Sequence, residues 1–335
     1  MYYSWLDRWD ERRAQHGEAE KRSSKFVLDA QRAFPSASNL DSLTAFCDLA
    51  SEAVDDPDFY KEPERFDPYV ERVAGSIKFP SGVTTGVEEN DVVWAKITES
   101  GSLDRALVVF HHWNASSRNG QIAKFLSRRG ITVVEISMPY HFERSRRGSS
   151  HADYMLSANL GRTVQSVQQA VLDGRKLISW LKCEGYGEVS VLGMSLGSWV
   201  AGLVAAHDPA VVKASLFLTA GSLADMVWTG RATRSIRESL EHSVDRSALN
   251  KAWSPLNLDN YTEKLSRPSL DLQLVLATRD RVVLPELSEK LIERLTESGA
   301  SADVIKLNCG HYSLAMPPNI VFAGWSLVRF LRQNR

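Results

Sequence analysis

Beyond about residue 70, short apolar runs alternate with stretches of helical period. That alternation predicts an α/β fold with a mostly parallel central sheet. Ala106–Phe110 is a continuous apolar run, as expected of a strand buried on both faces. Ile131–Ile136, Val189–Leu192, Val212–Leu218, Leu272–Ala277 and Ala302–Leu307 continue the series. Arg72–Phe79 and Val92–Ile97 read as two earlier strands joined by a glycine-containing turn. Val164, Val167, Val171, Ile178 and Leu181 fall at helical spacing, and Gly185 is placed to end that helix. Leu287, Leu291 and Leu295 mark another helix, just after Pro285. The longest gap, from Gly221 to Pro268, exceeds a plain loop and holds helical patterns at Ser235–Leu240 and Arg246–Ala252, so it reads as a helical cap insertion. A second long connection, Tyr140 to Asn159, follows the strand at 131–136.

The first 70 residues differ: they are charged and broken by Pro35, Pro57, Pro63 and Pro68. Trp5, Leu6 and Trp9 suit a helix with one apolar face. Leu43, Phe46, Leu49, Ala50 and Ala53 suit a second, stopped by Asp55-Asp56-Pro57-Asp58. The expected division is an N-terminal helical extension over 1–70 and a main domain over 71–335, with the cap at about 221–268. The extension is expected to pack on the main domain or on a second copy, which leaves a homodimer open. A lid over the site is the alternative.

Composition narrows the class. Hydrophobic residues make up 43% of the chain and charged residues 24%, a globular balance that excludes a disordered or collagen-like chain. Lys plus Arg is 40 and Asp plus Glu is 41, so no excess of positive charge points to nucleic acid or an anionic membrane. No apolar run reaches the ~18 residues that a membrane-crossing helix needs. The start, Met1 to Arg8, has charges where a signal peptide carries its apolar stretch. Cys47, Cys183 and Cys309 are far apart, with no CxxC pair. They suit a reducing compartment, and a cytoplasmic location is expected.

The strongest chemical signal is Gly193-Met194-Ser195-Leu196-Gly197, a G-x-S-x-G sequence between a predicted strand (Val189–Leu192) and a predicted helix (Trp199–Ala206). Small glycines there permit the tight turn that exposes a serine. A serine hydroxyl needs a base, and the base an orienting acid. His311, in Asn308-Cys309-Gly310-His311, follows a strand directly and so falls on the edge where catalytic groups of open α/β sheets gather. His207, on the helix after Ser195, and His242, in the cap, are less well placed. Asp280 follows the strand at 272–277. Glu286 is the rival acid, but it reads as a first-turn helix residue. An oxyanion requires donors, expected from the backbone N–H of Leu196 and of Trp113, with His112 the alternative to Trp113. The adjacent imidazoles of His111 and His112 point in different directions and have no further ligand spacing, so no metal is expected.

The region from about 75 to 330 resembles the α/β-hydrolase superfamily, and within it bacterial relatives of the α/β-hydrolase domain-containing protein 18 family. The resemblance lies in His111-His112-Trp113-Asn114-Ala115, Pro139-Tyr140-His141, Ala152–Met155, Asn159–Thr163, Val227–Gly230 and Cys309–Tyr312. It implies an α/β-hydrolase fold and a serine hydrolase with Ser195, Asp280 and His311 as its triad. Many hydrolases carry His-Gly in the oxyanion loop, whereas this chain has His111-His112.

The expectation is therefore cleavage of an ester, thioester or lactone of a small-molecule acyl substrate through an acyl-enzyme, with no cofactor. The same triad would also serve a biosynthetic acyltransferase or cyclase. A non-catalytic binding protein of this fold is the reading from another class, against which the complete set of three residues argues. Pocket candidates are His112, Asn114, Tyr140, His141, Arg144, Arg162, Met194, Trp228 and Tyr312. The basic residues between 140 and 162 would greet an anionic substrate group. The alternative is a solvated loop whose arginines pair with Glu143 or Asp153.

Overall fold

A computed structural model describes residues 2–19, 25–37, 40–61, 70–149 and 151–333. Pro63 and Pro68 lie outside the described residues. Nine strands form one sheet: β1 (Glu71–Val73), β2 (Ser76–Pro80), β3 (Val92–Thr98), β4 (Arg105–Phe110), β5 (Thr132–Ile136), β6 (Glu188–Met194), β7 (Val211–Phe217), β8 (Asp271–Ala277) and β9 (Ala302–Leu307). Their order is β1-β2-β3-β5-β4-β6-β7-β8-β9. The first three junctions, up to β3 with β5, are antiparallel. From β5 onward every neighbouring pair is parallel.

The helices are α1 (Tyr2–Ala19), α2 (Ala30–Ala33), α3 (Leu43–Asp55), α4 (Gly120–Ser127), α5 (Leu160–Cys183), α6 (Leu196–His207), α7 (Leu223–Thr229), α8 (Arg234–Leu240), α9 (Arg246–Ala252), α10 (Thr262–Leu265), α11 (Pro285–Glu297) and α12 (Asn319–Arg332). The apolar runs of the central parallel strands are buried because helices cover both faces, whereas β9, at the sheet edge, is only partly buried. β4, β5 and β8 are buried along nearly their whole length. α6 is buried from Leu196 to Ala206, which explains its predominantly apolar composition. The segment from 221 to 268 is built of α7, α8, α9, α10 and intervening 3-10 turns.

One predicted strand is divided. Arg72–Phe79 becomes β1 and β2, because Ala74 (φ 45°) and Gly75 (φ 73°) turn the chain back on itself. The left-handed conformation at Gly75 is one that glycine adopts without a Cβ penalty.

The basic connection after β5 also differs from its expected role. Arg144 is fully buried. Its guanidinium lies 2.9 Å from the Asp173 carboxylate on α5, also fully buried. It donates further to the backbone oxygens of Asn90 and Ser137. Burial pushes the Asp173 carboxyl upward, against the pull of Arg144 and of the Ser81 hydroxyl. Arg144 is therefore a core ion-pair residue and contributes nothing to a substrate pocket. The other arginines also have partners, though not Glu143 or Asp153. Arg147 pairs with Glu89, Arg146 donates to the Tyr154 hydroxyl, and Arg162 lies over the Tyr154 ring and beside Asp29. Glu143 itself pairs with Arg118.

Removing one member of a buried pair strands the other, at a cost of about 3–5 kcal/mol. Arg144→Ala is expected to lower the unfolding free energy by that amount, read from a lower urea midpoint at an unchanged slope. The folded fraction should keep its KM for an acidic ester. A stability near that of the wild type together with a raised KM would return Arg144 to the substrate pocket.

Candidate active site

Ser195 stands at the turn between β6 and α6, with φ 53° and ψ −124°, a conformation that side chains other than glycine rarely adopt. The flanking glycines let the turn close. A Cβ on Gly193 would stand 2.2 Å from the Gly197 carbonyl oxygen. A Cβ on Gly197 would stand 2.3 Å from that of Phe110 and 2.4 Å from that of His111. The start of α6 is thus pressed onto the end of β4 and the loop that follows it. The Ser195 amide donates to the Phe217 carbonyl on the neighbouring strand, which ties the turn to the sheet.

Two further loops bring groups to this turn. After β8, Asp280 is buried, and its Oδ1 accepts the amides of Val282 (2.7 Å) and Val283 (2.9 Å). Its Oδ2 lies 2.7 Å from His311 Nδ1. After β9, His311 directs Nε2 to Ser195 Oγ at 3.0 Å. The amide bonds to Oδ1 leave Oδ2 aimed at the imidazole, which selects the tautomer with its proton on Nδ1 and a free lone pair on Nε2. Glu286 sits in the first turn of α11, as its position after Pro285 predicted. His207 ends α6, packed between the rings of Tyr60 and Tyr261.

The loop after β4 is braced by two histidines. His111 Nε2 accepts the Met138 amide, and its Nδ1 bonds the His112 carbonyl. His141 Nε2 accepts the Asn114 amide at 3.0 Å, and its Nδ1 bonds the Pro139 carbonyl at 2.8 Å. Each ring needs one nitrogen unprotonated. Burial keeps both neutral, holding His111 well below the usual histidine range and His141 at about 4. Asn114, in a left-handed conformation (φ 55°), closes the loop by accepting the Ala152 amide on Oδ1.

The predicted pocket residues therefore separate. Tyr312 adjoins His311, ring to ring at 5.4 Å. His112 faces His311 and Arg13. Nearby protein, then those two groups, lower its pKa, although its side chain is exposed to solvent, which weakens that effect. Met194 is the last residue of β6, packed beside Leu192 and Phe217. Trp228 lies half-buried on α7, with Arg237 over its ring. Tyr140 and His141 are buried, Asn114 is half-buried, and the Asn114 amide donates to His141 Nε2. Arg162 is held against Tyr154 and Asp29.

The arrival of α1 at this site was only the alternative expectation from the sequence, and the face it presents was not foreseen. Trp5 was expected on its packed face together with Leu6 and Trp9. The structure buries Leu6 and Ala14, half-buries Trp9 and leaves Trp5 exposed. The face turned inward also carries acids. Asp7 pairs with Arg279, and Glu11 pairs with Arg231 and Arg281. Asp10 accepts from the loop that bears His311. A shallow, open depression beside His311 is lined by Asp10, Arg231, Arg281, Val282, His311 and Tyr312. The signal was present in the spacing: Leu6, Asp7, Asp10, Glu11 and Ala14 recur at i, i+3 and i+4 and share one helix face.

A mostly parallel sheet, with a strained serine after a central strand and an acid and a histidine on later loops, is the arrangement of the α/β-hydrolase fold. Within that class, residues 115–278 match the model of the family described as alpha/beta hydrolase domain containing 18. Solved structures share the fold at low identity. Acetyl xylan esterase 1 from Thermoanaerobacterium sp. is similar with a TM-score of 0.62 and 16% identity, over 93% of this chain and 96% of that one. A Pyrococcus furiosus esterase gives 0.53 and 15%, over 81% and 94%. A Mycobacterium tuberculosis puromycin-hydrolysing peptidase gives 0.56 and 14%, over 77% of this chain. The chain spans only 39% of that peptidase's length. Among curated proteins, no sequence match is found. Among the described residues, no helix is long and apolar enough to cross a membrane, and no cluster of residues could hold a metal ion.

The α1 contacts set a pH dependence. The bond from Arg279 holds Asp7 below its ordinary value. Burial alone would raise Glu11, but Arg231 outweighs it and the net direction is downward. Acids lowered in the folded state contribute fully above the ordinary carboxylate range, about pH 4, and lose that contribution as pH falls through their lowered values. Amides of α1 are therefore expected to lose hydrogen-exchange protection between pH 5 and 3, each rate being referred to its intrinsic value, before those of β4 and β6. Simultaneous loss in helix and strands would show that these ion pairs do not control docking.

Proposed function

We propose that the chain is a serine hydrolase that cleaves an ester, thioester or lactone through an acyl-enzyme on Ser195. The observation that carries this reading is the continuous line from Asp280 through His311 to the Ser195 hydroxyl, with contacts of 2.7 Å and 3.0 Å. In this reading the Ser195 oxygen attacks the substrate carbonyl while its proton passes to His311 Nε2. Asp280, already satisfied on Oδ1 by two amides, stabilises the imidazolium through Oδ2. The carbonyl oxygen becomes an oxyanion, which the amides of Leu196 and Trp113 receive. Leu196 is the first residue of α6, where helix amides lack intrahelical acceptors and the helix dipole favours negative charge. His311 then returns the proton to the leaving group as the tetrahedral species collapses. Water repeats the cycle on the acyl-enzyme, and the proton it gives to His311 ends on Ser195. The esterases among the structural neighbours favour an acyl ester over other substrates of the fold.

A fluorophosphonate probe should label Ser195, and Ser195→Ala should escape labelling. Turnover of the best substrate in a panel of graded acyl esters and lactones should fall by about 10⁶-fold in that variant, as loss of a triad nucleophile does elsewhere. Full activity in Ser195→Ala would end the proposal.

A further inference from the structure

Asp280 orients the His311 ring, but what orients the loop that carries the ring? His311 lies between β9 and a 3-10 turn at Ser313–Ala315. The residues around it converge on one carboxylate, that of Asp10 on α1. Its Oδ1 accepts the Tyr312 amide at 2.7 Å and the Ser313 amide at 3.0 Å. Its Oδ2 accepts the Ser313 hydroxyl, and the oxygen of that hydroxyl accepts the Gly310 amide at 2.8 Å. The residue before His311 and the two after it are therefore fixed, directly or through one hydroxyl, by Asp10. Ser313 is fully buried, so these bonds operate away from water. Hydrogen bonds to an ionised acceptor are about twice as strong as neutral ones.

Gly310 fits this arrangement. A Cβ there would stand 2.6 Å from the Asp10 carboxylate. The glycine before the histidine makes room for an acid supplied from another part of the chain. The neighbouring acids of α1 behave differently. Asp7 and Glu11 bond arginine side chains at the rim, and neither touches the backbone of the His311 loop.

We propose that Asp10 is a positioning residue for His311, so that helix α1 forms part of the reactive apparatus rather than an appended cover. The proposal rests on the reading of Ser195 as the nucleophile. Asp7 and Glu11 dock the helix, and Asp10 converts docking into a fixed histidine. A displacement of about 1 Å in a reacting group costs on the order of a hundredfold in rate. Loss of Asp10 should therefore cost ten- to a hundredfold in the chemical step and little in binding.

The test uses the full-length protein and a fluorophosphonate, with the limiting inactivation rate (kinact) and the half-saturating concentration (KI) measured separately. Hydrogen exchange at residues 309–316 and over α1 is followed in parallel. Asp10→Ala should lower kinact ten- to a hundredfold, leave KI within about twofold and speed exchange in the His311 loop. Asp10→Asn keeps an acceptor for the Tyr312 and Ser313 amides and should recover most of the loss. It also carries the test if Asp10→Ala fails to fold. Asp7→Asn, which leaves the Asp10 carboxylate in place, should speed exchange in α1 and lower kinact clearly less than Asp10→Ala does. An unchanged kinact in Asp10→Ala overturns the positioning role while leaving the nucleophile in place. Equal losses in Asp10→Ala and Asp7→Asn, each tracking exchange in α1, overturn it as well, because docking alone would then suffice. A wild type unlabelled at Ser195 removes the proposed function and this inference with it.

Discussion

The close approach of α6 to the end of β4 is the constraint on which the site depends. Ser195 occupies an unfavourable backbone region, at a typical cost of about 1–3 kcal/mol. Such strain persists only where the surroundings leave no alternative. Here the surroundings are strands on both sides of β6 and a helix that cannot withdraw. Phe110 shows how tightly the junction is built. Its carbonyl meets Gly197 of α6, and its ring meets Gly174 of α5, where a Cβ would stand 2.7 Å away. The last residue of β4 is thus enclosed by glycines from two helices, and the loop 111–114 leaves from a fixed point. The serine turn and the loop that faces it are positioned by one packing arrangement.

That arrangement explains why so much of the site was legible in the sequence. Continuous apolar runs betray buried parallel strands, and residues just past such strands fall on one edge of the sheet. Ser195, from its G-x-S-x-G turn, and Asp280 and His311, from their places just past later strands, could therefore be expected at one edge of the sheet. The same logic failed where the informative relation was a contact rather than a position. Arg144 was read from local charge as a pocket cation, or otherwise a solvated one, but its partner, Asp173, lies on a different element and its burial cannot be inferred from neighbours in sequence. The split of Arg72–Phe79 into two strands turned on the conformation of Ala74 and Gly75, which the β-rich pattern across them concealed.

The leading helix illustrates a third kind of difficulty. Tryptophans suggest the packed face of a helix because they offer the largest apolar area. In α1 that preference is overridden by complementarity. The surface it meets presents Arg231, Arg279, Arg281 and the amides of Tyr312 and Ser313, so an acidic face with a small apolar centre fits better than an aromatic one. Leu6 and Ala14 supply that centre, and Trp5 is left in solvent.

The histidine loop then receives two carboxylates with separable tasks. Asp280 comes from the loop after β8 and acts on the imidazole itself, where charge would develop during proton transfer. Asp10 comes from outside the sheet and acts on the backbone, where no charge changes. A carboxylate is suited to both tasks for the same reason, since it accepts several hydrogen bonds at once and holds them more strongly than a neutral group. The two differ in permanence. Asp280 is anchored by amides only two and three residues along its own loop. Asp10 reaches its loop across some three hundred residues of sequence, on a helix fastened largely by partly exposed ion pairs, a class of contact worth little each and weakened by salt. The ring partner is thus fixed by local structure, whereas the backbone partner is only as secure as the docking of α1.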